Sequence, residues 1–215
     1  MSSPVRIAVI DSGVHPSHPH VNSVAGGISI TPAGRHEAGY LDRLGHGTAV
    51  TAAIREKAPD AAIFAVKIFH DSLAARIEPL LAAIDWSVAC GVHFIKLSLG
   101  TANPAHEPAL RDALDRAVAA GIRVVAAYQH EGVRWLPGSL PGAVPVVLDA
   151  DCPRHEYRMS PLPDGRTLYH ASGLPRPIPG VSPERNLQGI SFAVANVTGL
   201  LAREAAERSP HLSAP

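Results

Sequence analysis

The sequence predicts an α/β fold: a doubly wound, mostly parallel sheet with helices on both faces. Three observations predict it. Short apolar runs alternate with stretches of helical spacing from Val5 to Leu148. Two of the helical stretches stop at Gly91 and Gly121, glycines in the position that closes a helix before the next apolar run. No linker-like tract interrupts the 215 residues, so residues 1–215 read as a single domain.

Val5 to Ile10 reads as a buried strand that ends in the turn signal Asp11-Ser12-Gly13. Residues 14–43 are rich in His, Pro and Gly and predict loop with one or two short strands. Gly45 to Glu56 has the spacing of a helix, with Pro59 just beyond it. Ala61 to Ile68 predicts a second strand, Ile77 to Cys90 a helix and Val92 to Leu99 a third strand. Pro108 to Ala120 opens on proline, which suits the first turn of a helix. Ile122 to Ala127 and Ala143 to Leu148 predict further strands. Asp151 to Arg185 breaks the alternation and reads as an irregular excursion with a short hairpin. A last helix is expected from Ser191 to about Glu207. A sheet of this kind places ligands outside the carboxyl ends of its strands.

Composition narrows the function. Apolar residues make up 46% and charged residues 18%, a balance that fills a core and excludes disorder. Lys plus Arg and Asp plus Glu both number 19, so there is no electrostatic reason to expect nucleic acid or an anionic membrane as partner. Cys90 and Cys152 form neither a disulfide framework nor a metal-binding spacing, and neither metal nor cofactor is expected. Met1 to Arg6 lacks the plan of a secretory signal, and no run reaches the roughly 18 apolar residues of a membrane span. The expectation is a cytoplasmic protein.

Three segments carry chemistry: Ile10-Asp11-Ser12-Gly13, Gly45-His46-Gly47-Thr48 and Gly189-Ile190-Ser191-Phe192. A serine hydroxyl is a poor nucleophile at neutral pH and needs a base within hydrogen-bond reach. An imidazole such as His46 suits that task, and a carboxylate such as Asp11 holds its second nitrogen. Asp11 ends a strand while His46 and Ser191 begin helices, so all three can meet at one sheet edge. Taken singly, each has an ordinary reading: a turn aspartate, a surface histidine, a helix-capping serine. Their order and neighbours resemble the subtilisin-like serine proteases, and the resemblance runs through nearly the whole chain. Ser98-Leu99-Gly100 is similar to the family's strand that pairs with substrate backbone. Leu136-Pro137-Gly138 is similar to its segment beside the first specificity pocket.

The resemblance implies a three-layer sandwich and a serine endopeptidase that acts through an acyl-enzyme, with Asp11, His46 and Ser191 as catalytic residues. The implied partner is a polypeptide. The alternative is a weak or inactive relative that binds peptide without cutting it. The family's oxyanion asparagine is absent: the segment reads Ala127-Tyr128-Gln129-His130, which leaves His130, or Gln129 after a one-residue shift, beside the Ser191 N–H as oxyanion candidates. Loss of one such donor costs about 3 kcal/mol in the transition state. Ala49, Ile190 and Ala195-Asn196 also depart from the family pattern. The size and the lack of an evident pro-region resemble the family's small intracellular processing members, among them those acting in quinohemoprotein amine dehydrogenase maturation, which implies a leader peptide as substrate. Arg154, Arg158, Arg166, Arg176 and Arg185 crowd the segment before Ser191 and read either as solvated loop charge or as a docking site for an acidic leader.

Overall fold

The structure, a computed structural model, describes residues 3–97 and 99–208. The chain opens with β1 (Arg6–Asp11), in which Ile7, Ala8, Val9 and Ile10 are all fully buried. A run apolar on both sides belongs in a sheet covered on both faces. Two short strands follow, β2 (Gly26–Ile30) and β3 (His36–Glu37), then α1 (His46–Lys57) and β4 (Ala62–Lys67). Next come α2 (Ile77–Ala89), β5 (Phe94–Leu97), α3 (Glu107–Ala119) and β6 (Arg123–Ala127). A hairpin of β7 (Gln129–His130) and β8 (Val133–Arg134) precedes β9 (Ala143–Leu148), β10 (Arg158–Pro161), β11 (Thr167–Ala171) and α4 (Ile190–Arg208).

The main sheet has the order β10-β11-β9-β6-β5-β1-β4-β2-β3. Its inner pairs are parallel, and only the edge pairs β2–β3 and β10–β11 are antiparallel. One face carries α2 and α3, packed over Ile10, Ile95, Leu97 and Val124. The other carries α1 and α4, packed over Ile7, Val9, Phe94 and Val125. Strand residues alternate between the two cores, as a pleated sheet requires. The result is the three-layer α/β sandwich expected.

The helices and inner strands fall within two residues or so of the expected bounds. The stretch 151–185 differs. It holds the expected hairpin, but β11 also pairs in parallel with β9, so the segment widens the main sheet rather than leaving it. The β7–β8 hairpin had no counterpart in the reading of the sequence.

Candidate active site

Asp11 is the last residue of β1, between β4 and β5. The chain leaves β1 toward β2 on one side and leaves the neighbouring β5 toward β6 on the other, so the carboxyl ends of β1 and β5 flank the topological switch point where such sheets hold their ligands. Asp11 is fully buried, and its Oδ1 lies 2.7 Å from Nδ1 of His46, the first residue of α1. A carboxylate only accepts, so Nδ1 carries the proton of this contact. Oδ1 also accepts the Ser12 N–H at 2.8 Å, and Oδ2 accepts from the Lys96 ammonium at 3.2 Å. Burial by itself pushes the Asp11 carboxyl up. The Lys96 charge, the His46 contact and the Ser12 N–H outweigh it and hold the group well below the usual carboxylate range. For Lys96, burial pulls the ammonium down and Asp11 opposes the fall.

The start of α1 is fixed by a second buried carboxylate. Asp42 Oδ1 accepts from the Ser12 hydroxyl and from the N–H groups of Leu44 and Gly45, each at 2.9 Å. Its Oδ2 accepts from the Thr48 N–H at 2.8 Å and the Thr48 hydroxyl at 2.7 Å. Asp42 thus binds the open N–H groups of the first turn and the loop after β1 together. Gly47 sits where a Cβ would meet the Gly13 carbonyl oxygen at 2.0 Å, so α1 approaches that loop backbone to backbone.

Ser191 is the second residue of α4 and is half-buried. The helix is entered through Gly189, whose φ of 141° suits glycine and whose N–H donates to the Gly173 carbonyl. The Phe192 ring centroid lies 6.0 Å from that of His46, so α4 begins at the same end of the sheet as the Asp11–His46 pair. Among the described residues, the Ser191 hydroxyl makes no hydrogen bond with His46. The Ser191 N–H is in the first helical turn and has no intrahelical acceptor.

Gln129 and His130 lie in the β7–β8 hairpin, whose turn residues Glu131 and Gly132 have φ of 51° and 78°, the pattern of a tight two-residue loop. Gln129 is exposed, and the His130 side chain lies outside what the structure describes. Ser98 also lies outside the described residues. Leu99 is half-buried against the α2–α3 core. Gly100 faces the Leu136 carbonyl and the Trp135 ring, which a Cβ there would meet at 2.7 and 2.8 Å. The chain beyond is tied down, with Thr101 and Leu136 exchanging backbone hydrogen bonds of 3.0 and 2.9 Å. Leu99 and Gly100 make no backbone hydrogen bond with another described residue.

Of the arginines that crowd the segment before Ser191, three are engaged in ion pairs. Arg154 pairs with Glu56, Arg158 with Asp149, and Arg166 with Asp164 and the carbonyls of Ser139 and Leu140. These three tie loops to the fold. Arg176 differs. It lines a cleft of about 510 Å³ beside the start of α1, together with Arg43 and the histidines at 15, 18 and 20. Leu44, Ile178 and Leu187 reach the same cleft with 38%, 44% and 50% of their surface exposed. Among the described residues that line the cleft, the one carboxylate is Asp42, which is taken up by its five donors.

Two residues of the site escaped the reading of the sequence. Lys96 had a visible signal, a lone charge in the apolar run Val92 to Leu99. Asp42 had none, because it sits in an unpatterned loop.

Comparison with known proteins agrees with this architecture. The Subtilase family (Peptidase_S8) model matches residues 2–140. The subtilisin of Bacillus pumilus is 35% identical over 139 residues, 60% of this chain and 49% of its own length. Subtilisin E of Bacillus subtilis (strain 168) is 35% identical over the same share of this chain and 35% of its own length. The chain therefore spans half or less of these curated relatives. The alkaline protease of Alkalihalobacillus alcalophilus is 28% identical over 92% of this chain and 51% of its own length, a span long enough to run past Ser191. Among solved structures, a serine-to-alanine variant of the protease domain of PatA superposes with a TM-score of 0.68 at 25% identity, covering 95% of this chain and 81% of its own. The prenylagaramide maturation protease PagA gives 0.72 at 23% identity, covering 98% and 78%, and supports the fold alone. With its family model matched from residue 2 to residue 140 and its sandwich intact, the chain belongs to the subtilase family.

Proposed function

We propose that this protein is a serine endopeptidase that cleaves a polypeptide through an acyl-enzyme. The observation that carries the reading is the buried Asp11–His46 contact at 2.7 Å, at the end of the sheet where α4 presents Ser191. In this scheme the Ser191 hydroxyl attacks the scissile carbonyl and its proton passes to His46 Nε2. Asp11 holds the ring in the required tautomer and stabilises the imidazolium. The imidazolium then protonates the leaving amine, and water repeats the sequence to release the acid. The Ser191 N–H would stabilise the oxyanion, with His130 or Gln129 as the second donor. Leu99 and Gly100, with backbone groups free of other described residues, would join Ser98 in pairing with an extended substrate.

The cleft beside α1 supports a selective processing role. Among its described lining residues the accessible charges are cationic and the exposed side chains include Leu44, Ile178 and Leu187, so it suits a substrate segment that mixes carboxylates with large aliphatic residues, as a leader peptide can. The other reading, a peptide-binding protein without turnover, is favoured by one observation: the missing hydrogen bond between His46 and Ser191. Such bonds are often long before substrate is bound.

A serine-directed phosphonate separates the two readings. The protease reading expects it to label Ser191, and expects Ser191→Ala to abolish both labelling and peptide cleavage. Equal cleavage by the two proteins would remove Ser191 from the mechanism, and peptide binding without labelling would favour the second reading.

A further inference from the structure

Lys96 is fully buried on β5, between Val9 of β1 and Val125 of β6 in the sheet. It points to the α1–α4 core, where its neighbours along the strands are apolar. Its ammonium has three protons to donate, yet among the described residues its only hydrogen-bond acceptor is Asp11 Oδ2 at 3.2 Å. A buried ion pair is a poor stabiliser compared with apolar side chains of equal volume. Packing therefore does not account for a lysine here, and its effect on Asp11 does.

We propose that Lys96 is a positioning residue of the catalytic machinery: it fixes the second carboxylate oxygen of Asp11 and divides that charge between two cations. This rests on the protease reading above. In that reading the Asp11 charge favours the imidazolium formed when Ser191 loses its proton. An ammonium on the other carboxylate oxygen turns the lone anion into a nearly neutral pair, and the field at His46 weakens. The imidazolium that must form on His46 is then less favoured than beside a lone carboxylate, which slows proton abstraction. Lys96 thus lowers the ceiling on turnover.

Among the described residues no other charge competes for this role. Lys67 of β4 is register-paired with Asp11, but its ammonium donates to the Leu41 carbonyl, and its charged neighbours are Arg43, Asp42 and Asp71. Asp42 is saturated by donors from the loop and α1. From Ile190 to Ala202, α4 carries no acidic or basic side chain, and on α1 Lys57 pairs with Glu56 while Arg55 donates to backbone carbonyls.

The test compares wild type with Lys96→Met, which keeps length and volume, using a short chromogenic peptide across pH. The expected result is an acidic limb of kcat/KM moved to higher pH by about one unit or more, with a several-fold higher plateau. A folded variant with limb and plateau unchanged overturns the proposal and leaves Lys96 as filler. If the methionine variant does not fold, ¹⁵N spectroscopy of the wild-type Lys96 Nζ decides. An ammonium resonance at neutral pH supports the proposal, and an amine resonance overturns it. Failure of the wild type to cleave any peptide would instead overturn the protease reading, and the ¹⁵N result would still settle the charge on Lys96.

Discussion

Asp11 is a carboxylate withdrawn from water and kept ionised by Lys96, His46 and the Ser12 N–H. A carboxyl whose folded-state pKa is depressed stabilises the fold above its unfolded value of about 3.9, and that contribution is lost as pH falls below it. The stability difference between wild type and Asp11→Asn should accordingly be full above about pH 4 and shrink at lower pH. Urea denaturation over a pH series measures it; a difference independent of pH would show that the charge does not stabilise the fold. Asp42 makes the complementary case, since its five donors include backbone N–H groups that no other acceptor serves. Asp42→Ala should cost about 2–4 kcal/mol in the same experiment, and Asp42→Asn less, because the amide oxygen retains part of the set. At this scale the sequence was legible where chemistry is tied to a motif, as for Asp11, His46 and Ser191. It was silent where a residue works through partners far along the chain. Lys96 lies 85 positions from Asp11, and no local pattern joins them.

Among the elements, α1 is the most constrained, because its first turn must reach the loop after β1 without intervening side chains. Gly47→Ala would place a methyl group against the Gly13 carbonyl, a backbone atom that cannot rotate away. It should cost at least about 2 kcal/mol and displace His46 from Asp11. Thermal melting and the rate of phosphonate labelling read the two effects, and a variant normal in both would show that the loop has room to shift. The four helices were legible because their apolar spacing is regular and proline or glycine marks several of their ends. The inner strands were legible because burial on both faces leaves unbroken apolar runs. β11 was legible only as part of a hairpin, not as a member of the main sheet: Thr-Leu-Tyr-His-Ala lies near the sheet edge, half-buried, and carries no such run. Nor was the β7–β8 hairpin, whose strands are two residues each and whose turn is Glu-Gly rather than the stronger Asn-Gly. An alignment of residue types set His130 in the oxyanion position without foreseeing that its backbone is bound into a hairpin.

For the whole molecule, zero net charge means that any preference for a charged substrate must come from local asymmetry. In the proposed reading the cleft supplies it, and the fold explains how. The loop after β1, the start of α1 and the segment before α4 are far apart in sequence, and winding of the sheet about β1 brings them to one edge. Arg176 is held there by its bond to the His20 carbonyl, while Leu187 remains half exposed. A substrate that reaches the cleft as well as the cleavage site gains a second anchor, and the gain is multiplicative because the two are linked. In the double variant Arg176→Glu, Leu187→Ser, kcat/KM for a long substrate with a Glu- and Leu-rich segment should fall more than that for a short peptide. The ratio of the two values should drop about tenfold, the equivalent of 1.4 kcal/mol. Raising the salt concentration should lower the same ratio in the wild type, because the charge component is solvent-exposed and screened. A ratio unmoved by both changes would mean that long and short substrates are held by the same contacts, and selectivity would then rest on the residues around Gly100 and Trp135 alone.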